Sequence, residues 1–439
     1  MKRNRLSLIF VLFFSAIMVI SCSQDPDKAR RKLAQRILKD PLLEKVDSMA
    51  RVIVRQGFTA GDGYGEVWIR DLNTFIELSC QVVDPKLIRE SLVTFFQFQG
   101  PTGDIVDGFL PIEKAQVSDS GYQYRYSELN PRYAAHKNTV ETDQESALVQ
   151  AVYKYVKGSK DYAFLDEVID GKTVLERMDF AMSWLMAERF SPTYGLLWGA
   201  TTADWGDVQP EHSWGVALDD DSHLAIDIYD NAMFLVALER LQEFVVPTVK
   251  DKWLTVNKMI RKNVMEHLWD EENQKFIPHI YIDGSPFPAD FDENQIFYHG
   301  GTTVAIEAGL LSSDQIIASY KKMVENVEKS GAHSIGLTLY PAYPEGFFKN
   351  KGMGPYSYQN GGDWTWFGGR TVSALVDNWL IVQGYESLRP MLKRVVKNGG
   401  FYEWYTIDNI PSGSGTFRGE AGVLSTAIKK MRDWAHSVK

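Results

Sequence analysis

The chain has 439 residues, a formal net charge of −10, two cysteines and eight histidines. The acidic balance argues against nucleic acid and anionic membrane as partners, and Cys22 and Cys80 leave no internal disulfide once the N-terminal segment is accounted for. Twelve Trp, twenty Tyr and twenty-three Phe are more aromatics than packing needs, and carbohydrate is the ligand class that uses them.

In chain order, Lys2, Arg3 and Arg5 precede an apolar run from Leu6 to Ile20 broken only by Ser7 and Ser15. The run is short for a membrane span and a polar stretch follows, which predicts a cleaved export signal over 1–22. The junction Val19-Ile20-Ser21-Cys22 resembles the lipobox of bacterial lipoproteins, which implies a lipidated Cys22 as the only membrane anchor. Ser23 and Gln24 follow, without the Asp that retains such proteins at the inner membrane, so outer-membrane anchoring is expected. Residues 23–28 read as a short linker and 29–439 as one domain, since no internal repeat or Pro/Gly/Ser-rich linker divides them.

Helical periodicity predicts twelve helices: Ala29–Gln56, Asp71–Val83, Pro85–Phe98, Thr139–Val156, Lys172–Glu188, Ser222–Phe244, Val249–Trp269, Thr302–Leu311, Ser313–Val327, Thr365–Gln383, Tyr385–Val396 and Arg418–His436. Lys275–Tyr281 alternates and is the main strand candidate, a small β-hairpin. Connections alternate between short, as at Val83-Asp84-Pro85, and long, as over Gln99–Asn138 and Glu328–Trp364. Twelve helices with one ring of long loops predict an all-α fold, an (α/α)6 toroid of six hairpins with its site on the long-loop face.

Four loop stretches carry chemistry. Trp68, Arg70 and Asp71 open the helix after Gly63-Tyr64-Gly65, and an Arg–Asp pair beside an indole can grip sugar hydroxyls. In Ala203-Asp204-Trp205-Gly206-Asp207 two carboxylates flank an indole, which can desolvate a carboxyl group for general-acid work; Asp204 is the first choice and Asp207 the reserve. The stretch from Gly354 to Arg370 combines Gln359, Asn360, Asp363, Trp364 and Arg370 with five glycines, a mixture that suits a ligand better than a core. In Tyr402-Glu403-Trp404-Tyr405, Glu403 stands between aromatics as the expected base, and Trp404 is expected to meet substrate. The histidines have no metal-binding spacing, and no phosphate or dinucleotide fingerprint is present, so neither metal nor cofactor is expected. The acidic run Asp219-Asp220-Asp221 lacks the spacing of a calcium loop and reads as a turn and helix N-terminus.

Val67-Trp68-Ile69-Arg70-Asp71, Tyr358-Gln359-Asn360-Gly361-Gly362-Asp363-Trp364 and Tyr402-Glu403-Trp404-Tyr405, in that order, resemble the six-hairpin glycosidases. The motif likeness is nearest to the alkaline/neutral invertases, with trehalase-like relatives beside them. The resemblance implies an (α/α)6 barrel and a metal-independent inverting hydrolase with Glu403 as base and Asp204 as acid. Its carboxylates would stand about 6.5–9.5 Å apart. Tyr402 replaces the family's Pro, and the loop around the acid diverges from the invertases. Together with the expected lipid anchor, these departures favour an α-linked glucosyl or related oligosaccharide, cleaved exo-fashion, over sucrose. A sugar epimerase or polysaccharide lyase on the same toroid, and a non-catalytic surface glycan-binding lipoprotein, are the alternatives. The first would need paired His or Tyr and His; for the second, aromatics would suffice.

Overall fold

The computed structural model describes residues 26–115, 123–214 and 216–438; the segment expected to be an export signal and Cys22 lie outside the described residues. Thirteen α-helices are present among them: α1 Pro26–Leu38, α2 Pro41–Val54, α3 Ile69–Val82, α4 Pro85–Gln97, α5 Gln144–Ser159, α6 Val174–Glu188, α7 Ile228–Gln242, α8 Pro247–His267, α9 His299–Glu307, α10 Ser313–Ser330, α11 Thr365–Asp377, α12 Ile381–Asn398 and α13 Arg418–Ser437. Helices α3, α5, α7, α9, α11 and α13 contact one another in turn and α13 returns to α3, closing an inner ring. The even-numbered helices flank it outside, and α1 packs on α13. This is the (α/α)6 toroid that the alternation of loop lengths predicts.

Burial explains which helices go where. Inner α3 is buried without a break from Ile69 to Ile76, and α9 from His299 to Ile306. Outer α10 buries only Ile316, Ser319, Met323 and Asn326, a single stripe at helical spacing. Glycine lets inner helices touch: a Cβ at Gly422 of α13 would collide with the Phe75 backbone of α3. The longest connections run from an outer helix to the next inner one, and because inner and outer helices alternate the N-termini of all six inner helices share one face. No described helix is long and apolar enough to cross a membrane.

Several boundaries differ from expectation. The first helix is two, because Asp40 accepts from the Leu42 N–H at 3.0 Å and Pro41 starts α2 without a donor. Helix α1 begins at Pro26, inside the stretch read as a linker. Helix α7 starts at Ile228 rather than Ser222, since Leu224–Ile226 pairs with Gly199–Ala200 and Ile280–Tyr281. The 275–281 stretch is therefore not one hairpin: Lys275–Phe276 pairs back on Trp269–Asp270. Gly384 lies within α12, where Met431 and Val376 press close enough to leave little room for a side chain; it serves packing, not a break. The loops also hold more strand than expected, including a four-stranded sheet of Val67–Trp68, Gly108–Pro111, Tyr133–His136 and Tyr124–Arg125.

Candidate active site

The inner-helix N-termini and their preceding loops line a small, partly open pocket of about 80 Å³. Tyr64, Trp68, Trp205, Tyr358, Trp364, Trp366 and Phe417 form its walls, and Arg70, Asp71, Asp207, Gln359 and Glu403 supply its polar groups. Trp205 is fixed by stacking on Phe367 at 4.6 Å and by edge contacts with Trp364 and Trp366 at 4.8 and 5.2 Å. Trp68 is held in register by the short strand that pairs Val67–Trp68 with Gly108–Phe109. Rigid indole faces with a few convergent polar groups suit a pyranose ring.

Glu403 enters from the loop that links outer α12 to inner α13. Its Oε2 accepts from the Tyr64 O–H at 2.6 Å and from the Ser414 N–H at 3.3 Å. Burial pushes its pKa up; those two donors pull it down, and Asp207 pushes it up again. Gly413, at φ +69°, is obligatory there, because a Cβ would overlap the Glu403 carboxylate. Asp207 is held through its backbone: its N–H donates to Gln359 Oε1 at 3.3 Å and its carbonyl accepts from Asn138 Nδ2 at 2.9 Å. That clamp leaves the carboxylate side chain 26% exposed toward the pocket.

Arg70 is the hub behind these groups. It ion-pairs with Glu141, and stands 3.5 Å from Asp107, 3.8 Å from Asp143 and 3.9 Å from Asp207. One buried guanidinium thus faces four carboxylates, with Asp71 and Glu403 nearby. Burial and the crowding of like charge push Asp71 and Asp107 up to about 7, against the pull of Arg70. Glu141 and Asp143 are raised for the same reasons. Asp107, Glu141 and Asp143 are absent from the sequence-derived site. The segment holding the last two was expected to be helical, but Asn138 Oδ1 accepts from the Val140 and Glu141 N–H groups and delays the helix to Gln144.

The structure brings Trp68, Arg70, Asp71, Trp205, Asp207, Gln359, Trp364 and Glu403 together and sets the other expected residues elsewhere. Asp204 does not line the pocket. Its backbone sits at φ +56°, its side chain is buried, and its two oxygens accept from the Gly300 and Gly301 N–H groups at 2.6 and 2.7 Å. It is a clasp on the N-terminus of α9, where the dipole favours a negative charge; burial nonetheless pushes its pKa up against those two donors. Asp363 is gripped by Arg394 through two bonds of 2.8 Å and by Ser334 at 2.6 Å. Asn360 ties the loop together through the Tyr343 and Met353 backbone. Arg370 pairs with Glu307 at the opposite mouth of the ring, and Trp404 packs on Tyr358 outside the pocket. The acidic run at Asp219 is a turn, as expected, but it precedes a strand, not a helix. Among the described residues one group, His212 with Asp219 and Asp221, is close enough to share an ion, and it is largely exposed.

The class is that of the (α/α)6 toroids. No protein-family model matches the chain, and no curated protein matches it in sequence. Among solved structures it is similar to the GH63 mannosylglycerate hydrolase from Thermus thermophilus in complex with glucose. There the TM-score is 0.60 at 13% identity, over 87% of this chain and 99% of that one. The rhamnosidase from Klebsiella oxytoca with rhamnose bound gives 0.58 at 13% identity, over 88% of this chain and 63% of that one. The GH78 rhamnosidase of Bacillus sp. GL1 gives 0.58 at 13%, with 34% of that longer chain covered. At these identities the likeness carries the fold, which is the six-hairpin architecture that the motifs imply.

Proposed function

We propose that the protein is a metal-independent inverting glycoside hydrolase, exo-acting on an α-linked glucosyl or related oligosaccharide, exported and held at the outer membrane by a lipid on Cys22. The observation that carries the reading is the meeting of Asp207 and Glu403 in one pocket walled by indoles, with Asp204 turned away. Asp207 replaces Asp204 as the general acid. It sits at the more open rim, where the leaving group departs, and protonates the glycosidic oxygen. The two donors to Glu403 both fall on Oε2, which leaves Oε1 to take a proton from the attacking water. Asp71 and Arg70, at the pocket floor in the first turn of α3, bind hydroxyls of the terminal sugar. The sugar complexes of the structural neighbours support a pyranoside as ligand.

Proton NMR on the chain from Ser23, mixed with α-linked disaccharides, tests this directly. The expected result is release of a sugar with inverted anomeric configuration, abolished in Glu403→Gln and strongly slowed in Asp207→Asn. Retained configuration, or an Asp207→Asn variant with full activity beside an inactive Asp71→Asn, would reassign the carboxylates. Binding without release, unchanged in all three variants, would move the protein to the glycan-binding class.

A further inference from the structure

The outer edge of the ring, on the side away from the pocket, carries an exposed apolar groove. Ala29, Arg30 and Leu33 of α1 line it with Trp379, Val382 and Trp434. Trp379, in the short turn between α11 and α12, is 73% exposed, and Val382 is 55% exposed. A tryptophan so bare on a folded chain points to something that covers it. The groove abuts the first turns of α1, where Lys28, Arg30, Arg31 and Lys32 are exposed with Asp27 the one acid among them. Arg30 lies 5.9 Å over the Trp434 ring and Arg36 pairs with Glu386, and Lys28 and Lys32 are exposed beside them. The net charge of −10 belongs to the whole chain; this corner has the opposite sign.

Chain length supplies the occupant. Four residue steps separate Cys22 from Pro26, and a chain of that length spans at most about 14 Å whatever its conformation. If Cys22 bears acyl chains, the start of α1 is held within that distance of the bilayer. We infer that the α1–Trp379–Trp434 face rests on the headgroup region of an anionic bilayer, with Trp379 at the interface and the basic turns of α1 on the lipid phosphates, so that the pocket opens away from the membrane. Tryptophan favours that interface, and basic residues near it are drawn to anionic lipid. The orientation follows from the ring: Trp379 and Trp434 lie past or near the C-terminal ends of inner helices whose N-termini form the pocket. A 13-residue α11 places the two faces roughly 20 Å apart. The proposal rests on the anchored reading but not on the hydrolase reading.

The test uses vesicles of brominated phosphatidylcholine with phosphatidylglycerol and tryptophan fluorescence. Two proteins are compared: the full chain purified from bacterial membranes, and the chain from Ser23, which keeps every helix of the ring. Intact mass of the first shows separately whether Cys22 is lipidated. Expected is bromine quenching of the reconstituted full chain that is lost in Trp379→Phe. The chain from Ser23 is expected to bind anionic vesicles, with a partition coefficient roughly 30-fold lower in Lys28→Ala/Lys32→Ala. Circular dichroism controls for folding. An anchored, folded wild type whose Trp379 is not quenched overturns the proposal. So does a concentration-dependent dimer that Trp379→Ser abolishes, which would give the groove to a second copy. A full chain without lipid, together with a chain from Ser23 that ignores vesicles, overturns both the anchor and the docking face while leaving the hydrolase assignment intact.

Discussion

Asp204 and Asp207 differ by three positions and flank one indole, and replacing each with Asn should separate a structural carboxylate from a chemical one. In Asp204→Asn the amide offers one oxygen where two N–H groups now bind, so either the Gly300 or the Gly301 N–H is left facing an NH2 group in a buried site. An unsatisfied buried donor costs about 1–3 kcal/mol, and loss of the negative charge at the α9 N-terminus adds up to about 2 kcal/mol. A total near 3 kcal/mol is a large share of a typical 5–15 kcal/mol stability. It lowers the unfolding temperature by only about 3–4 °C, since the unfolding entropy of so long a chain is large at ~2.1 cal/mol/K per residue. Activity per folded molecule should stay within a few-fold of wild type. In Asp207→Asn the order reverses: unfolding stays within about 1 °C, since the isosteric amide keeps both backbone bonds of the clamp and removes one of the like charges crowded around Arg70, while kcat falls roughly 10²–10⁴-fold, the worth of general-acid catalysis. Substrates whose leaving group needs no proton should recover most of that loss. Scanning calorimetry and kcat on active, folded protein read both effects. An Asp204→Asn variant of unchanged stability but lost activity, beside an active Asp207→Asn, would refute the reasoning.

Tyr64→Phe removes the O–H that stabilises charged Glu403, so the acidic limb of the kcat/KM profile should move to higher pH with little change at the plateau. Asp107, pushed up to about 7, binds a proton in the folded state that it has released in the unfolded chain. Its contribution to stability is therefore lost as pH rises from about 4 to about 7, and Asp107→Asn should flatten the decline in urea midpoint across that window. Arg394→Ala leaves Asp363 buried without its cation and should cost about 3–5 kcal/mol. Arg394→Lys should recover only part of that on thermal melts, since one ammonium cannot replace two parallel bonds.

The toroid was legible because its signals are local and repeated: helical periodicity in segment after segment and the alternation of loop lengths. Glu403 and the Trp68–Asp71 segment were legible for a related reason, since polar-aromatic stretches that open buried helices have few structural uses. Boundaries failed where a short signal competed with a long one. Asp40-Pro41 spells a helix start, but the periodicity of Ala29–Gln56 runs through it.

The harder failures concern direction. Either carboxylate beside Trp205 could point into the pocket, and what turns Asp204 inward is the pair Gly300-Gly301 nearly a hundred residues away, whose bare backbone makes room for it. That pair was visible in the sequence, but its partner was not. The stretch from Gly354 to Arg370 divides in the same way. Gln359 and Trp364 reach the pocket, while Asn360 spends its hydrogen bonds on the loop itself and Asp363 on Arg394 of α12. Asp363 also exchanges backbone hydrogen bonds of 2.9 Å with Tyr405, two residues past Glu403. A residue expected to bind sugar thus fixes the strand that carries the base. Asp107, Glu141 and Asp143 left no comparable mark, because Asp107 stands in an apolar stretch and the other two lie in an acidic run at an expected helix start, until the ring closes and sets all three around Arg70. A single guanidinium among so many buried carboxylates is a tertiary arrangement, and its consequence is that the pocket floor holds protons near neutral pH that no isolated segment would hold.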